Sequence, residues 1–192
     1  VLAVGSRDCS VQRRHQKVLE EAPPPDIADE LRRAIERAAV ELVTHVSYSG
    51  VGTVEFLLKG DEFFFLEVNP RLQVEHGITE EVTGVDLVQL QIRIAEGESI
   101  KDLHPVAHGV AIEARVNAED PDQGFLPSPG RIRRLREPAG PGIRIDSGIV
   151  EGLEIGSDTD VLDSQLIRIV QPTGRPSLEM VVGKEAGLVF RG

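Results

Sequence analysis

The sequence predicts an α+β chain in which a helix and a β-hairpin lead into a second, mostly β part. Three observations predict it. Apolar residues recur at helical spacing over 27–46, two β-like runs flank Gly60-Asp61, and after about Leu103 short β-like runs alternate with turn clusters. The 192 residues suffice for one ordinary domain or two small ones. The change of texture places the boundary near 103, giving parts 1–103 and 104–192.

The elements follow in order. Val1–Val4 reads as the end of a strand, and 7–17 is polar and basic. Pro23, Pro24 and Pro25 exclude a helix there, because proline lacks the N–H and clashes with the preceding turn. Asp26 is expected as the N-cap of a helix whose apolar face is Ile27, Leu31, Ile35, Ala39, Leu42 and Val46. Gly50 and Gly52 punctuate the next junction. Thr53–Leu58 and Glu62–Asn69 read as strands joined by a turn at Gly60-Asp61. A short helix is expected near Thr79–Val82 and a longer one from Val85 to Glu96, with Gly97 as its stop. Beyond the boundary, Val110–Val116, Ile132–Leu135, Gly142–Ile145 and Leu166–Val170 read as β runs, and Leu126–Gly130 as a turn cluster.

Composition narrows the function classes. The chain is 40% hydrophobic and 28% charged, as globular chains are, but has no Trp and one Tyr, so its apolar volume rests on Val, Leu and Ile. Its net charge of −11 argues against nucleic-acid and anionic-membrane partners, which are themselves polyanions. Cys9 is the one cysteine, so no intrachain disulfide forms, and we read it as a packed thiol. No apolar run approaches membrane-spanning length. Val1–Val4 is too short for a signal peptide, which makes a cytoplasmic location the expectation, with an organelle matrix also allowed. The absence of an initiator Met points to a fragment or a processed chain.

The chemistry concentrates in one run. Glu67, Asn69, Arg71, Gln73 and Glu75 are spaced i, i+2, with Val68, Pro70, Leu72 and Val74 between them. In an extended chain such a set lines one face. A solvated strand face is the ordinary reading of that pattern. The mixed chemistry argues otherwise, as do Phe63, Phe64 and Phe65, which are expected to bury the start of the strand. If the loop sets Lys59 opposite Phe63, then Glu55 faces Glu67, and the two carboxylates repel unless a cation joins them. Glu55, Glu67 and the Asn69 amide oxygen are hard donors suited to Mg²⁺. Arg71 offers a planar fork to a small oxyanion, Gln73 adds amide donors, and Glu75 is placed to act as a base.

Four motifs then resemble biotin carboxylases. Arg7-Asp8-Cys9-Ser10-Val11-Gln12-Arg13-Arg14-His15-Gln16-Lys17 resembles their R-D-C-S-x-Q-R-R-H-Q-K. Glu67-Val68-Asn69-Pro70-Arg71-Leu72-Gln73-Val74-Glu75-His76 resembles E-x-N-x-R-x-Q-V-E-H. Glu113-Ala114-Arg115-Val116-Asn117-Ala118-Glu119-Asp120-Pro121 resembles E-x-R-x-x-A-E-D-P, and Phe125–Gly130 also fits. The resemblance covers about 1–155. It implies the C-terminal half of an ATP-grasp fold, an antiparallel sheet with helices, followed by a mostly β biotin carboxylase C-terminal domain. The implied reaction activates bicarbonate with ATP as carboxyphosphate and passes the carboxyl group to N1 of biotin on a carrier protein.

The roles are implied residue by residue. Glu55, Glu67 and Asn69 match positions for Mg²⁺ or Mn²⁺. Gln12, His15 and Leu57 match nucleotide contacts. Lys17, Arg71, Gln73 and the backbone of Val74 match the bicarbonate site. Glu75 matches the base that deprotonates bicarbonate, and Arg115 the group that stabilises the biotin enolate. A structural ion pair with Glu113 or a neighbour is the ordinary alternative for Arg115. The basic run through His15 and Lys17 is ordinarily a solvated surface. We assign no role to Arg131, Arg133, Arg134 and Arg136. The implied partners are a biotin carboxyl carrier and a carboxyltransferase, as proteins or domains, with a homo-oligomer in the full protein.

There are departures. Gly77 stands where the family usually has Pro, which is expected to loosen the backbone beside the base. Around Val161–Ser164 only Asp163 and Ser164 keep the family pattern, Arg168 replaces a usual Lys, and Pro172–Pro176 reads as a loop in a tail that diverges after about 155. The family's nucleotide-fold domain, glycine-rich lid and phosphate-gripping lysines have no counterpart in these residues, so the segment alone is expected to be inactive. Two other readings stay open: an ATP-grasp ligase acting on a different acid, and a non-catalytic relative serving assembly or regulation.

Overall fold

In the computed structural model the described residues are 1–156, together with the backbones of strands 164–170, 179–182 and 188–191. The elements run β1 (Asp8–Arg13), β2 (Gln16–Ala22), α1 (Asp29–His45), β3 (Thr53–Lys59), β4 (Glu62–Asn69), α2 (His76–Thr83), α3 (Leu87–Ala95) and β5 (Val110–Val116). The second part continues with β6 (Glu119–Asp120), β7 (Leu126–Pro127), β8 (Gly130–Arg131), β9 (Ile143–Asp146), β10 (Glu154–Ile155), β11 (Ser164–Val170), β12 (Glu179–Val182) and β13 (Leu188–Arg191). This is the mixed helix-and-sheet chain the pattern predicts. The expectations at 161–163 and 172–176 lie outside the described residues.

The main sheet has the order β1-β2-β5-β11-β9 and is antiparallel throughout. It therefore joins strands from both sides of residue 103. The β1–β2 hairpin turns at Arg14 and His15, both left-handed at φ 52° and 65°, the geometry that matches a two-residue loop to strand twist. Successive side chains of a strand alternate faces, so Glu20 and Ala22 of β2 share a face with Ala111 and Glu113 of β5, opposite them in register. Helix α2 covers that face. Its Ile78 and Val82 pack on Ala22 and Ala111 to form a small buried core, and burying a side chain of Ile78's size stabilises by roughly 2 kcal/mol.

Several local expectations are corrected. Val1–Val4 is not in a strand. Asp26 is not the N-cap of α1. It sits in a left-handed turn at φ 55°, and the helix starts at Asp29 after Ala28, without a side-chain cap bond. Asp29 and Glu30 in the first turn suit the helix dipole instead, and Arg32 ties back to Asp29 at 3.0 Å. Asp86, by contrast, does cap α3, accepting from the Gln89 N–H at 2.7 Å. Residues 132–135 form no strand.

The β3–β4 hairpin carries the most instructive correction. Lys59 pairs with Glu62, not Phe63, because the loop is the two residues Gly60 and Asp61. A β-bulge in β4 then absorbs Leu66, and Glu55 still faces Glu67. The bulge moves Phe64 onto the face of Glu55 and Leu57. It leaves Phe65 beside Phe56 on the other face, in an edge contact with ring centroids 6.3 Å apart. Phe64 and Phe65 are exposed, so the start of β4 is not buried as expected.

Strand β4 has the bounds the sequence predicts, although the alternation of polar and apolar residues runs on to Glu75. It stops at Asn69, since Pro70 has no N–H for the ladder and the Arg71 N–H folds back to the Asn69 carbonyl at 2.8 Å. Gln73, Val74 and Glu75 lie in the loop and turn that enter α2. Gly77, expected to loosen the backbone, is a buried residue in the first turn of that helix.

Candidate active site

Glu75 is the centre of the cluster. It immediately precedes α2, and its side chain is almost wholly buried, at 2% exposure for the residue. Lys17 donates to its Oε1 at 2.7 Å and Arg115 to its Oε2 at 3.0 Å. A carboxylate clasped on both oxygens by cations from β2 and β5 is ionised. Burial works against the charge, but the Lys17 bond outweighs it and holds the Glu75 carboxyl below its ordinary range. Lys17 is correspondingly held up: burial disfavours its charge, and the bonds to Glu55 and Glu75 outweigh that.

Glu55 lies on the other side of Lys17. Its Oε1 accepts from Lys17 at 2.8 Å, Gln73 Nε2 at 2.9 Å and Asn69 Nδ2 at 3.2 Å. Asn69 also donates to Glu67 Oε1 at 2.9 Å, so its amide bridges the two facing carboxylates. The repulsion foreseen between Glu55 and Glu67 is thus relieved here by N–H groups. Two carboxylates and one amide that can turn its oxygen inward are a fitting donor set for a hard divalent ion. Among the described residues no group of three or more His, Cys, Asp or Glu side chains is placed to hold a metal ion. A shared ion that keeps waters or substrate oxygens is what this set suits.

Arg115 is bonded to Glu20 of β2 as well as to Glu75. Arg115 Nε donates to Glu20 Oε1 at 2.8 Å, and Nη2 lies 2.6 Å from the same oxygen. The ion pair expected as the ordinary alternative exists, but with Glu20 rather than Glu113. Burial raises the Glu20 carboxyl from its usual value despite Arg115. The structure also explains Cys9, whose thiol is pushed up to about 12 by burial and by Glu75 and is therefore no nucleophile.

The remaining predicted residues lie outside this cluster. Arg71 is exposed in the loop after β4, with Nη1 on the Leu72 carbonyl at 3.2 Å. Val74 lies in the turn before Glu75. Gln12 is exposed and donates to the Cys9 carbonyl at 3.0 Å, and His15 is exposed at the β1–β2 turn. Leu57 is exposed on the Glu55 face of the hairpin, opposite Phe64.

Sequence reasoning assigned no role to two residues that the cluster uses. Arg7 donates to Thr79 at 2.8 Å, Thr53 at 3.0 Å and Gln73 at 3.4 Å, binding α2, β3 and the loop together. Glu20 anchors Arg115. Arg7 opens a motif already singled out, which was a usable signal. Glu20 had none, because its partner lies 95 residues away.

Comparisons with known proteins agree with this arrangement. Residues 1–103 match the family described as carbamoyl-phosphate synthase L chain, ATP binding domain, and residues 113–176 match the biotin carboxylase C-terminal domain. The chain is 50% identical over 170 residues to a biotin carboxylase of Nostoc sp., covering 87% of this chain and 38% of that one. It is 48% identical over 171 residues to a pyruvate carboxylase subunit of Methanothermobacter thermautotrophicus, covering 87% and 34%. A solved single-chain, multi-domain long-chain acyl-CoA carboxylase superposes with a TM-score of 0.84 at 45% identity, over 88% of this chain and 19% of that one. The chain thus spans little more than a third of the length of these curated relatives.

Proposed function

Because the chain belongs to the biotin carboxylase family, matching its ATP-binding and C-terminal domains in order, we propose that it supplies the bicarbonate and biotin side of an ATP-dependent carboxylation site. One observation carries this reading: the buried Glu75 is clasped by Lys17 on one oxygen and Arg115 on the other.

At rest Glu75 is a weak base, since two cations stabilise its charge. A bicarbonate bound by Lys17, Arg71, Gln73 and the Val74 backbone competes for the same cations. As Lys17 turns to the new anion, Glu75 loses stabilisation and its affinity for a proton rises. The carboxylate then takes the proton of bicarbonate, whose oxygen attacks the γ-phosphate of ATP to give carboxyphosphate and ADP. Arg115, released in part from Glu75, stabilises the negative charge that develops on the biotin ureido oxygen as N1 gives its proton to the phosphate leaving carboxyphosphate; N1 then takes the carboxyl group and the protonated phosphate departs. A divalent ion held by Glu55, Glu67 and the Asn69 oxygen supplies charge neutralisation on phosphate oxygens when bound. Gln12, His15 and Leu57 contact the nucleotide in this reading. The biotin comes on a carrier protein or domain and the carboxyl group passes on to a carboxyltransferase. Division at about 103 into ATP-grasp and C-terminal parts, homo-oligomerisation and a cytoplasmic location belong to the same proposal.

The segment by itself is proposed not to turn over, since its relatives are far longer. The test is therefore a chimera in which this chain replaces the matching segment of the Nostoc biotin carboxylase. Bicarbonate-dependent ADP release and biotin carboxylation are expected. Glu75→Gln should lower both by 100-fold or more, in line with the usual worth of an acid–base group. A folded chimera that cleaves ATP equally well without bicarbonate, or a fully active Glu75→Gln, would overturn the reading.

A further inference from the structure

The mechanism above leaves one buried group unused. Glu113 of β5 is 0% exposed, and neither of its carboxylate oxygens has a hydrogen-bond partner. It stands directly opposite Glu20 of β2, which is 1% exposed and has its own Oε2 without a partner. Two carboxylates opposed across an antiparallel pair have Cβ atoms about 5 Å apart. Both cannot be ionised at that separation without water or enough cations.

The charges around Glu113 are countable. Arg115 shares its strand, Glu20 faces it from β2, Glu75 lies at the start of α2, and Arg7 reaches in from the N-terminal segment. Strand β11 brings the backbone of Ile167 opposite. Glu80 and Glu81 of α2 are turned toward Arg144 instead. Arg115 donates to Glu20 and to Glu75, and has no hydrogen bond with Glu113. Three orphan oxygens belong to this facing pair, and a proton on Glu113 shared with Glu20 Oε2 would satisfy two of them, one on each residue, with no outside group.

We propose that Glu20 is the positioning residue that holds Arg115 against Glu75, and that Glu113 stands opposite it as a protonated acid, so that the pair carries one negative charge. A second charge would draw Arg115 down between Glu20 and Glu113 and away from Glu75. The protonated acid leaves the arginine with one carboxylate below and one above. Burial and the Glu20 charge act in the same direction, pushing the Glu113 carboxyl up to about 8. The placement of Arg115 is independent of function. Its consequence for carboxyl transfer rests on the carboxylation reading.

The test begins with the purified chain. Infrared spectra at pH 6.5 should show the carbonyl stretch of a buried protonated carboxylic acid, absent in Glu113→Gln. The side-chain Nε–H resonance of Arg115 should be slow to exchange in the wild type and in Glu113→Gln. In Glu20→Gln it should be broadened or exchange at least tenfold faster. In the chimera, Glu20→Gln should lower biotin carboxylation by tenfold or more, and Glu20→Asp should recover part of the loss. Lack of the acid band in a folded wild-type chain overturns the proposal, whether or not the Glu20 variant folds. So does an unchanged Arg115 signal in Glu20→Gln. A chimera without wild-type activity sinks the carboxylation reading and leaves the spectroscopic result standing.

Discussion

Among the described residues two glutamate pairs face each other across antiparallel strands, and they are neutralised in opposite ways. Glu55 and Glu67 meet on the β3–β4 hairpin, where Glu67 is exposed and the pair is bridged by Asn69, with Lys17 and Gln73 on Glu55. Glu20 and Glu113 meet beneath α2, where neither is exposed and Arg115 bonds Glu20 but not Glu113. The same residue pairing is therefore open to a cation in one place and suited to a proton in the other. Burial decides which. A hydrated ion can reach the hairpin, while under the helix the cheapest neutral form is the acid.

The largest effect should come from removing the cation that the buried pair shares with Glu75. Arg115→Ala leaves the buried Glu20 carboxylate without its cation and Glu75 with Lys17 alone, and should cost about 3–5 kcal/mol by urea unfolding at pH 7. A loss below about 1 kcal/mol would mean that water already serves these groups.

Next is the pH dependence of the buried pair. Glu113 has a folded value raised from 4.5 to about 8. Below the unfolded value the acid is protonated in both states and costs nothing. As pH rises the unfolded chain releases the proton first, so this residue's contribution to stability declines from about pH 4.5 to about pH 8 and then levels. The slope approaches about 1.4 kcal/mol per pH unit. Glu113→Gln should flatten that part of the stability profile, measured by urea midpoints at intervals of pH. An unaltered slope would show that Glu113 ionises like an exposed acid.

Removing Lys17 probes the joint between the two pairs. Lys17→Met should destabilise the chain by about 2 kcal/mol, as expected for a charged hydrogen bond lost from a partly buried carboxylate. It should also raise the Glu75 carboxyl from its lowered value, read as a shift of the side-chain carbon resonance to higher titration pH. Wild-type Glu75 contributes stability above its unfolded value and loses it as pH falls through the lowered folded one. Loss of Lys17 should narrow that acid limb. No change in the Glu75 titration would show that Arg115 alone sets it.

The smallest effect is expected from magnesium. Mg²⁺ at ten times its dissociation constant should stabilise the chain by about 1.4 kcal/mol. The gain should vanish in Glu67→Gln and persist in Glu113→Gln. Equal loss in both would erase the distinction between the two pairs.

Much of this was legible in the residues. The helical spacing of Ile27–Val46, the strands on either side of Gly60-Asp61 and the run Val110–Val116 announce their elements through period alone. The run from Glu67 to Glu75 announces chemistry, and Glu75, Gln73, Asn69 and Glu67 do gather on one cluster with Glu55. The route to that cluster was not legible. The alternation runs on past Asn69, where the strand ends as read, and it gives no sign of the turn that carries Gln73 and Glu75 inward. Likewise the facing of Glu55 and Glu67 depends on a two-residue loop and a compensating bulge, since a slip of one residue reverses every side chain.

The sequence by itself determined the α+β class, the family and the polar groups available for the site, because these depend on local periodicity and on motifs contiguous in the chain. Only the tertiary structure decided that Lys17 and Arg115 clasp opposite oxygens of Glu75, that Glu20 is the residue behind Arg115, and that Glu113 is buried without a partner. Those facts depend on the register of β2 against β5 and on α2 covering their shared face. Pairing between strands about 90 residues apart leaves no periodic trace in either strand.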